Sequence, residues 1–264
     1  MTETWIFIGN PGVGKSTLLN CLLGYNAFAS GLSYGGGLTT EVATAYDASR
    51  DIVVVDTPGL FDAMLGHNAA DDITSLLQPG GKYKLCFFVR LADGRVVCED
   101  LVALERVLDS IFLDDVPFSV IINDVKAVAY AELAKGGRHF KQVVAQINSG
   151  RYTTPHVLVV PRFRCLFEAD NARVQLPSAL RESLERFPTV YIPSDSVGDI
   201  YVPWFQDAVV SMTDTVVAME RPGEAEKHLQ LVGRKRGSAF WPTVAKAAKV
   251  IAQVLTVTAT VGII

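Results

Sequence analysis

A glycine-rich motif near the start of the chain has the residue types and spacing of a phosphate-binding loop. Residues 9–16 read Gly-Asn-Pro-Gly-Val-Gly-Lys-Ser, which fits G-x-x-x-x-G-K-S, and they follow an apolar run over residues 5–8. A strand, such a loop and the helix after it form a cradle of backbone N–H groups, in which Lys15 reaches the β- and γ-phosphates and Ser16 ligates Mg²⁺. The sequence therefore predicts a nucleoside triphosphate site, with binding residues Asn10, Pro11, Gly12, Val13, Gly14, Lys15, Ser16 and Thr17.

A second motif, Asp56-Thr57-Pro58-Gly59, directly follows the β-branched run of residues 52–55. On its own it would be only a good turn sequence. A carboxylate that ends a buried strand beside a phosphate loop holds Mg²⁺, and a glycine there brings its N–H close to the γ-phosphate because no side chain intervenes. We therefore predict Asp56 as a metal ligand and Gly59 as a phosphate contact.

Nucleotide switches also use a threonine that covers Mg²⁺ and the γ-phosphate. Thr39 and Thr40 follow the glycine-rich residues 31–37, and both are candidates. We favour Thr40 as the nucleotide contact and metal ligand, beside Ser16 and Asp56. Flexible glycines before it suit a segment that orders when the γ-phosphate is bound. The alternative is that the threonine pair simply begins a β-strand.

Together these motifs, including Asp56-Thr-Pro-Gly-Leu-Phe-Asp62, resemble the GIMAP-type (immunity-associated) GTPases. Septins and the chloroplast outer-envelope import-receptor GTPases are relatives that share much of the pattern. The segment from Val89 to Glu105 also resembles the family's stretch after the fourth strand, and the resemblance extends over residues 4–150. It implies a protein that binds GTP or GDP with Mg²⁺, acts at a membrane or as a scaffold, and forms a homodimer through its nucleotide face.

The base-recognition motif departs from the family pattern. Guanine recognition there depends on N/T-K-x-D after the fifth strand, whereas this chain reads Asn123-Asp124-Val125-Lys126. Lys126 stands where the carboxylate is expected, and a cation does not accept the N–H groups of guanine. Asn123 and Asp124 are our candidate base-binding residues. The alternative is that these two residues only form a polar turn between strand and helix that caps the next helix. An arginine or phenylalanine within residues 161–164 is a candidate for stacking on the purine.

The residues that would orient the attacking water are also unusual. Ras-like enzymes place a glutamine just after Asp-x-x-Gly, and this chain has Leu60-Phe61 at that point. We expect slow hydrolysis, or a residue supplied by a dimer partner or activator. Arg90, Arg95 and His67 are candidates for such a donor, but each is more simply a surface or structural residue, so no catalytic residue is assigned.

The elements that must position these motifs alternate along the chain. Apolar runs rich in β-branched residues alternate with longer helical patterns, which indicates βαβ units and a mainly parallel sheet. The predicted strands are Thr4–Ile8, Glu41–Tyr46, Ile52–Val55, Tyr83–Arg90, Phe118–Ile122 and His156–Val160, with only the second and third antiparallel. The predicted helices are Lys15–Leu23, Glu99–Ile111, Ala127–Gln146, Ser178–Phe187 and Pro203–Met219. The fold class is α/β: a three-layer P-loop NTPase sandwich (residues 1–220) with a helical C-terminal extension (residues 221–264).

The end of the chain is apolar. Residues 250–264 carry no charge, but they fall short of the roughly 20 residues that a helical bilayer crossing needs. A basic cluster at residues 234–236 and the pair Phe240-Trp241 precede them. This arrangement fits a tail anchor or interfacial helix, and packing against protein is the alternative.

Composition sets the remaining limits. The chain has 264 residues, of which 49% are hydrophobic. Its net charge of −4 gives no general case for nucleic-acid binding, so we expect no nucleic-acid partner. Four cysteines without C-x-x-C spacing are expected to be reduced thiols. Met1-Thr2-Glu3 leads directly into the first predicted strand, so we expect no signal peptide and a cytoplasmic location, including the cytosolic face of a membrane.

The leading interpretation is a GTP-binding switch or scaffold with slow hydrolysis. Two alternatives stay open on the residues alone. One is a nucleotide-binding interaction module with little hydrolysis and relaxed base specificity, and the other is an ATPase.

Overall fold

The computed structural model describes residues 2–33, 37–61 and 66–201, without the side chains of residues 66 and 67. Over these residues it contains nine strands. They are β1 (Glu3–Ile8), β2 (Ala43–Asp47), β3 (Ile52–Asp56), β4 (Gly81–Val89), β5 (Leu91–Ala92), β6 (Arg95–Val96), β7 (Ser119–Val125), β8 (Val157–Pro161) and β9 (Val190–Ile192).

Six α-helices lie between these strands in the same part of the chain. They are α1 (Lys15–Leu23), α2 (Gly66–Leu77), α3 (Cys98–Asp109), α4 (Ala127–Leu133), α5 (Arg138–Ile147) and α6 (Ser178–Glu185), and a short 3₁₀ helix covers Arg164–Phe167.

The main sheet is mostly parallel. Its strands run in the order β2-β3-β1-β4-β7-β8, and β9 pairs with the start of β4. The pairs β1–β3, β1–β4, β4–β7 and β7–β8 are parallel, whereas β2–β3 and β4–β9 are antiparallel. The carboxyl ends of β1, β3, β7 and β8 therefore meet at one edge, where open α/β sheets place their ligands.

Both faces of the sheet are covered, which explains why its central strands are apolar throughout. Along β1, Ile6 and Ile8 face a core shared with α2, α3 and α5, while Trp5 and Phe7 face a second core shared with α1 and α6. Successive side chains of a strand point to opposite faces, so both sets are buried only when helices lie on both sides. The predicted three-layer α/β class is confirmed.

The structure differs from the sequence predictions at several places. The single helix predicted over Ala127–Gln146 is two, α4 and α5, because Gly136 has a left-handed φ of 65° and Gly137 follows in an extended conformation. The strand β9 is a second antiparallel neighbour in the sheet, which the sequence did not predict. Helix α2 was also missed, although the spacing of Ala69, Ala70, Ile73 and Leu77, all buried, is helical.

The end of the chain lies outside the described residues. This holds for the predicted helix at Pro203–Met219, the domain boundary at residue 220, the basic cluster and the apolar terminus. Among the helices that are described, none has the length and apolar character to cross a membrane.

Candidate functional site

The phosphate loop lies between β1 and α1, as its spacing predicts. Helix α1 begins at Lys15, and Gly14 before it has a left-handed φ of 85°. A Cβ at Gly14 would lie 2.5 Å from the side-chain nitrogen of Asn123, so only glycine fits both the backbone and the space. The free N–H groups at the start of α1 and the positive end of its dipole then face the cleft, which suits an anion.

Lys15 is the cation of this loop, and it is almost fully buried. Its Nζ donates to the carbonyl oxygens of Gly9 at 3.0 Å and Asn10 at 3.3 Å. Burial lowers the pKa of the Lys15 ammonium to about 8, against the opposing effect of the Asp56 and Asp100 charges. A desolvated ammonium held this way gains most when a phosphate arrives.

Three oxygen-bearing side chains meet beside the loop. The Ser16 hydroxyl donates to Asp56 Oδ2 at 2.6 Å, the Thr39 hydroxyl donates to the same oxygen at 3.1 Å, and the two hydroxyl oxygens lie 3.1 Å apart. Burial raises the pKa of the Asp56 carboxyl, which is fully enclosed. Its other oxygen, Oδ1, is buried and has no hydrogen-bond partner among the described residues.

This cluster bears on the choice between the two threonines. The structure places Thr39, and not the favoured Thr40, against Ser16 and Asp56, while Thr40 is exposed. Neighbouring residues of an extended segment point in opposite directions, so only one of the pair can face the cluster. The pattern of two adjacent threonines contains no signal that distinguishes them.

Gly59 lies directly against the phosphate loop. A Cβ there would meet Pro11 at 2.4 Å, so a larger residue could not hold this position without moving the loop. Leu60 is buried, and the N–H of Phe61 donates to Asn10 Oδ1 at 3.3 Å. The segment after Asp56 is thus tied to the phosphate loop through a side chain of that loop.

A buried carboxylate behind the loop was not predicted as part of the site. Asp100, in the first turn of α3, accepts from Asn10 Nδ2 at 2.7 Å. It also accepts from the backbone N–H of Arg90 at 2.8 Å and from its guanidinium at 2.8 and 3.0 Å. The sequence signal was an arginine ending a buried strand and an acidic pair beginning the next helix, but it does not reveal the contact with Asn10.

The base end of the cleft starts at Asn123. Its side-chain nitrogen donates to the Val13 carbonyl at 2.9 Å, which fixes the end of β7 to the phosphate loop. Asp124 follows with a left-handed φ of 57°, at an irregularity in the β7–β8 pairing. Both oxygens of Asp124 accept from Arg162, from Nε at 2.7 Å and from Nη2. Lys126 is exposed and precedes α4.

One cleft joins the two ends, with a volume of about 630 Å³. At its rim, Ser30 N–H donates to Asn171 Oδ1 at 2.9 Å and Leu32 N–H donates to Asp170 Oδ1 at 3.1 Å. The predicted residues that line the cleft are Pro11, Gly12, Val13, Gly14, Lys15, Ser16, Thr17, Gly59, Asn123 and Asp124. Phe163 and Phe167 line it as well, the first within the segment predicted to stack on a purine.

Two of the candidate donors for hydrolysis, Arg90 and Arg95, do not line the cleft. The Arg90 guanidinium is engaged by Asp100, and Arg95 is exposed in the β5–β6 hairpin. The side chain of His67 is not among the described residues.

The fold and the site are those of a P-loop NTPase. The sheet is mainly parallel, a lysine-bearing loop lies at the carboxyl end of β1, and a buried carboxylate ends β3. The model of the AIG1 family matches residues 3–126, so this segment of the chain is similar to that family. The predicted resemblance to GIMAP-type and import-receptor GTPases is confirmed.

Two curated relatives match parts of the chain. The chain is 27% identical over 135 residues to the "Probable GTP-binding protein EngB" of Chlorobium luteolum, with 50% of this chain and 63% of EngB covered. It is 41% identical over 75 residues to the small ribosomal subunit biogenesis GTPase RsgA of Klebsiella pneumoniae, with 26% of this chain and 21% of RsgA covered. Each match spans less than two thirds of the relative's own length.

Solved structures with a similar fold include Toc33 from Arabidopsis thaliana in complex with Mg²⁺ and GMPPNP. It is 16% identical with a TM-score of 0.47, and the match covers 73% of this chain and 89% of Toc33. A variant of Aquifex aeolicus Era bound to GDP·AlF₄⁻ is 20% identical with a TM-score of 0.45, covering 82% of this chain and 68% of that one.

Proposed function

We propose that this protein binds a guanine nucleoside triphosphate with Mg²⁺ and acts as a nucleotide-dependent switch with slow hydrolysis. The observation that carries the proposal is the cluster of Ser16, Thr39 and Asp56 beside Lys15. Lys15 gives the cleft one cation for the phosphates. The other three side chains bring three oxygen atoms within hydrogen-bond distance of one another. A bound triphosphate would take the place of the carbonyl contacts that Lys15 makes now.

The donor set fits Mg²⁺. Mg²⁺ is bound in such sites by one or two protein oxygens together with phosphates and waters, and it does not need a cage of carboxylates. The unpartnered Oδ1 of buried Asp56 is the group that a cation or its water shell would satisfy. When bound, the ion would neutralise charge on the phosphates. Ser16, Thr39 and Asp56 are the residues that would hold it, and Lys15 would bind phosphate oxygens.

Guanine as the base rests on the relatives. The match to the AIG1 family model and the names of EngB and RsgA, a GTP-binding protein and a GTPase, support it. The switch role is supported by two segments that reach the phosphate end. Thr39 contacts Ser16 and Asp56, and Gly59 and Phe61 lie against the phosphate loop. Both contacts would respond to the presence of a γ-phosphate.

Slow hydrolysis is supported by Leu60 and Phe61. Neither side chain offers a hydrogen bond to an attacking water, and Leu60 is fully buried. A partner residue could supply the missing group. Three large apolar side chains that line the cleft are exposed, namely Leu32, Leu38 and Phe167. Exposed apolar side chains around the cleft support a homodimer through the nucleotide face.

Calorimetric titration of the full chain with GTP, GDP and ATP tests the proposal, with Mg²⁺ and with EDTA. We expect GTP to bind at least tenfold more tightly with Mg²⁺ than without, and this dependence to disappear in Asp56→Asn. Phosphate release should be slow at low protein concentration, and its rate per molecule should rise with concentration if the dimer forms. Absence of triphosphate binding under all conditions would refute the proposal.

A further inference from the structure

The base end of the cleft contains a carboxylate, Asp124, that is already paired with an arginine. Asp124 lines the cleft two residues before Lys126, which occupies the position expected for the guanine-reading carboxylate. Its left-handed backbone lies at the irregular end of β7. A carboxylate at the wall of a purine site has the acceptor oxygens that could pair with the N1–H and 2-amino groups of guanine.

Arg162 already occupies the hydrogen-bonding edge of this carboxylate. Nε and Nη2 donate one hydrogen bond to each oxygen, which is the bidentate arrangement of a guanidinium on a carboxylate. Guanine would present N1–H and the 2-amino group as a similar pair of parallel donors. The two groups therefore compete for the same edge of Asp124.

The competition favours arginine. Both members of the Arg162–Asp124 pair are charged, whereas the guanine edge is neutral, and charge-assisted hydrogen bonds of the first kind are the stronger ones. Arg162 is also held in place. Its guanidinium lies 5.1 Å from the centre of the Phe167 ring, and its backbone N–H donates to the Val125 carbonyl at 2.8 Å.

Other carboxylates at this end of the cleft are less suited to read the base. Asp170 Oδ1 accepts from the Leu32 N–H at the rim. Glu168 is exposed, and its carboxylate makes no hydrogen bond or ion pair with the rest of the described chain, so nothing pre-positions it. The remaining lining is apolar, with Phe163, Leu166 and Phe167.

We infer that Arg162 closes the guanine-reading edge of Asp124, so that the site binds purine nucleotides without reading the 2-amino group. This inference rests on the proposed nucleotide binding and concerns the base alone. Arg162 is then a specificity-determining residue, because it removes a preference that Asp124 would otherwise create. The substrate class is wider than guanine nucleotides and includes inosine triphosphate.

Paired titrations of the full chain with GTP and ITP in the presence of Mg²⁺ test the inference. ITP is GTP without the 2-amino group, so the ratio of the two Kd values isolates that contact. For the unchanged protein we expect a ratio within about threefold of one. In Arg162→Ala the freed carboxylate should favour GTP by about tenfold, since hydrogen bonds to a charged acceptor are worth about 1.5–3 kcal/mol.

The double variant Arg162→Ala with Asp124→Asn should lose this gain, and Arg138→Ala, which removes an exposed arginine at the start of α5, should leave the ratio unchanged. A preference for GTP of tenfold or more in the unchanged protein would overturn the inference. Loss of that preference in Asp124→Asn or in Glu168→Gln would then identify the carboxylate that recognises the 2-amino group. A ratio near one in Arg162→Ala would also overturn it. If neither nucleotide binds, the proposed function fails as well, so the two failures are distinguishable.

Discussion

The two ends of the cleft are built in different ways. At the phosphate end, Lys15, Asp56 and Asp100 are buried, and their partners include backbone groups and side chains from several strands and helices. At the base end, Asp124 and Arg162 form a pair whose side chains are 36% and 40% exposed. Chemistry at the first end is fixed by the fold, whereas chemistry at the second depends on two side chains.

This difference teaches where function can change without loss of the fold. A buried ionic group leaves an uncompensated charge when its partner is removed, so the phosphate end tolerates few substitutions. An exposed pair contributes little to stability, so base recognition can be altered by a change in one residue. The predictions below challenge this contrast in order of decreasing effect.

The largest effect is expected for Lys15→Ala. Loss of the ammonium removes about two charge-assisted contacts to phosphate, so GTP affinity should fall by roughly 4 kcal/mol, or about a thousandfold. Calorimetry or displacement of a fluorescent nucleotide measures it. Lys141→Ala, an exposed lysine on α5, is the control and should bind normally. Tight binding by Lys15→Ala would mean that the loop is not the phosphate site.

The second test compares how much Asp100 and Asp124 contribute to the free energy of unfolding. Asp100→Ala strands Arg90 and Asn10 and should lower the free energy of unfolding by about 3 kcal/mol, as measured by denaturant titration. Asp124→Ala, which breaks the exposed pair, should cost less than about 1 kcal/mol. Equal losses would show that the two ends do not differ as the burial indicates.

The third prediction concerns pH. Burial lowers the pKa of Lys15 to about 8 in the free protein, and phosphate binding needs its protonated form. Affinity for GTP should therefore be maintained below that pH and fall about tenfold from pH 7 to pH 9. The same pKa predicts that the free protein gains stability as pH rises above 8, since the unfolded chain keeps the Lys15 proton and the folded chain releases it.

Lys15→Arg is the control for this titration, because arginine stays charged over this pH range. Ionisation of the nucleotide itself affects the wild type and the variant alike. The difference between the two profiles isolates Lys15. A wild-type affinity that stays level to pH 9 would show that Lys15 is not desolvated in the free protein.

The smallest effect is expected at the threonines. Thr39→Val removes one hydroxyl from the cluster with Ser16 and Asp56, and Mg²⁺-dependent GTP affinity should fall about fivefold. Thr40→Val, its neighbour, should change the affinity less than twofold. Titrations with Mg²⁺ and with EDTA measure both. A larger effect at Thr40 would mean that the nucleotide-bound segment presents the other threonine, as the sequence analysis preferred.

The phosphate end could be anticipated from sequence because it depends on local patterns. The sequence pattern of residues 5–16 predicts a buried strand, glycines in left-handed conformations and the start of a helix. Helix α1 has the predicted bounds. The six predicted strands all have counterparts in the sheet, for the same reason.

What sequence could not provide were contacts between distant segments. Arg162 and Asp124 are separated by a helix pair and a strand, and Asn10 and Asp100 are 90 residues apart in the chain, so no spacing rule connects either pair. The choice of Thr39 over its neighbour depends on the path of the chain after the glycine-rich residues. The break at Gly136 could have been read from two successive glycines, but helical propensity around them outweighed it.

Strand β9 has a consequence for solubility. Strand β7 pairs with β4 only from Cys86 onward, so the first residues of β4 would present unpaired backbone groups along that side. The three residues of β9 pair with Gly81, Lys82 and Tyr83 and close this gap. An open, mostly apolar strand edge invites pairing with another chain. The short strand that the sequence concealed therefore protects the central strand of the sheet against aggregation.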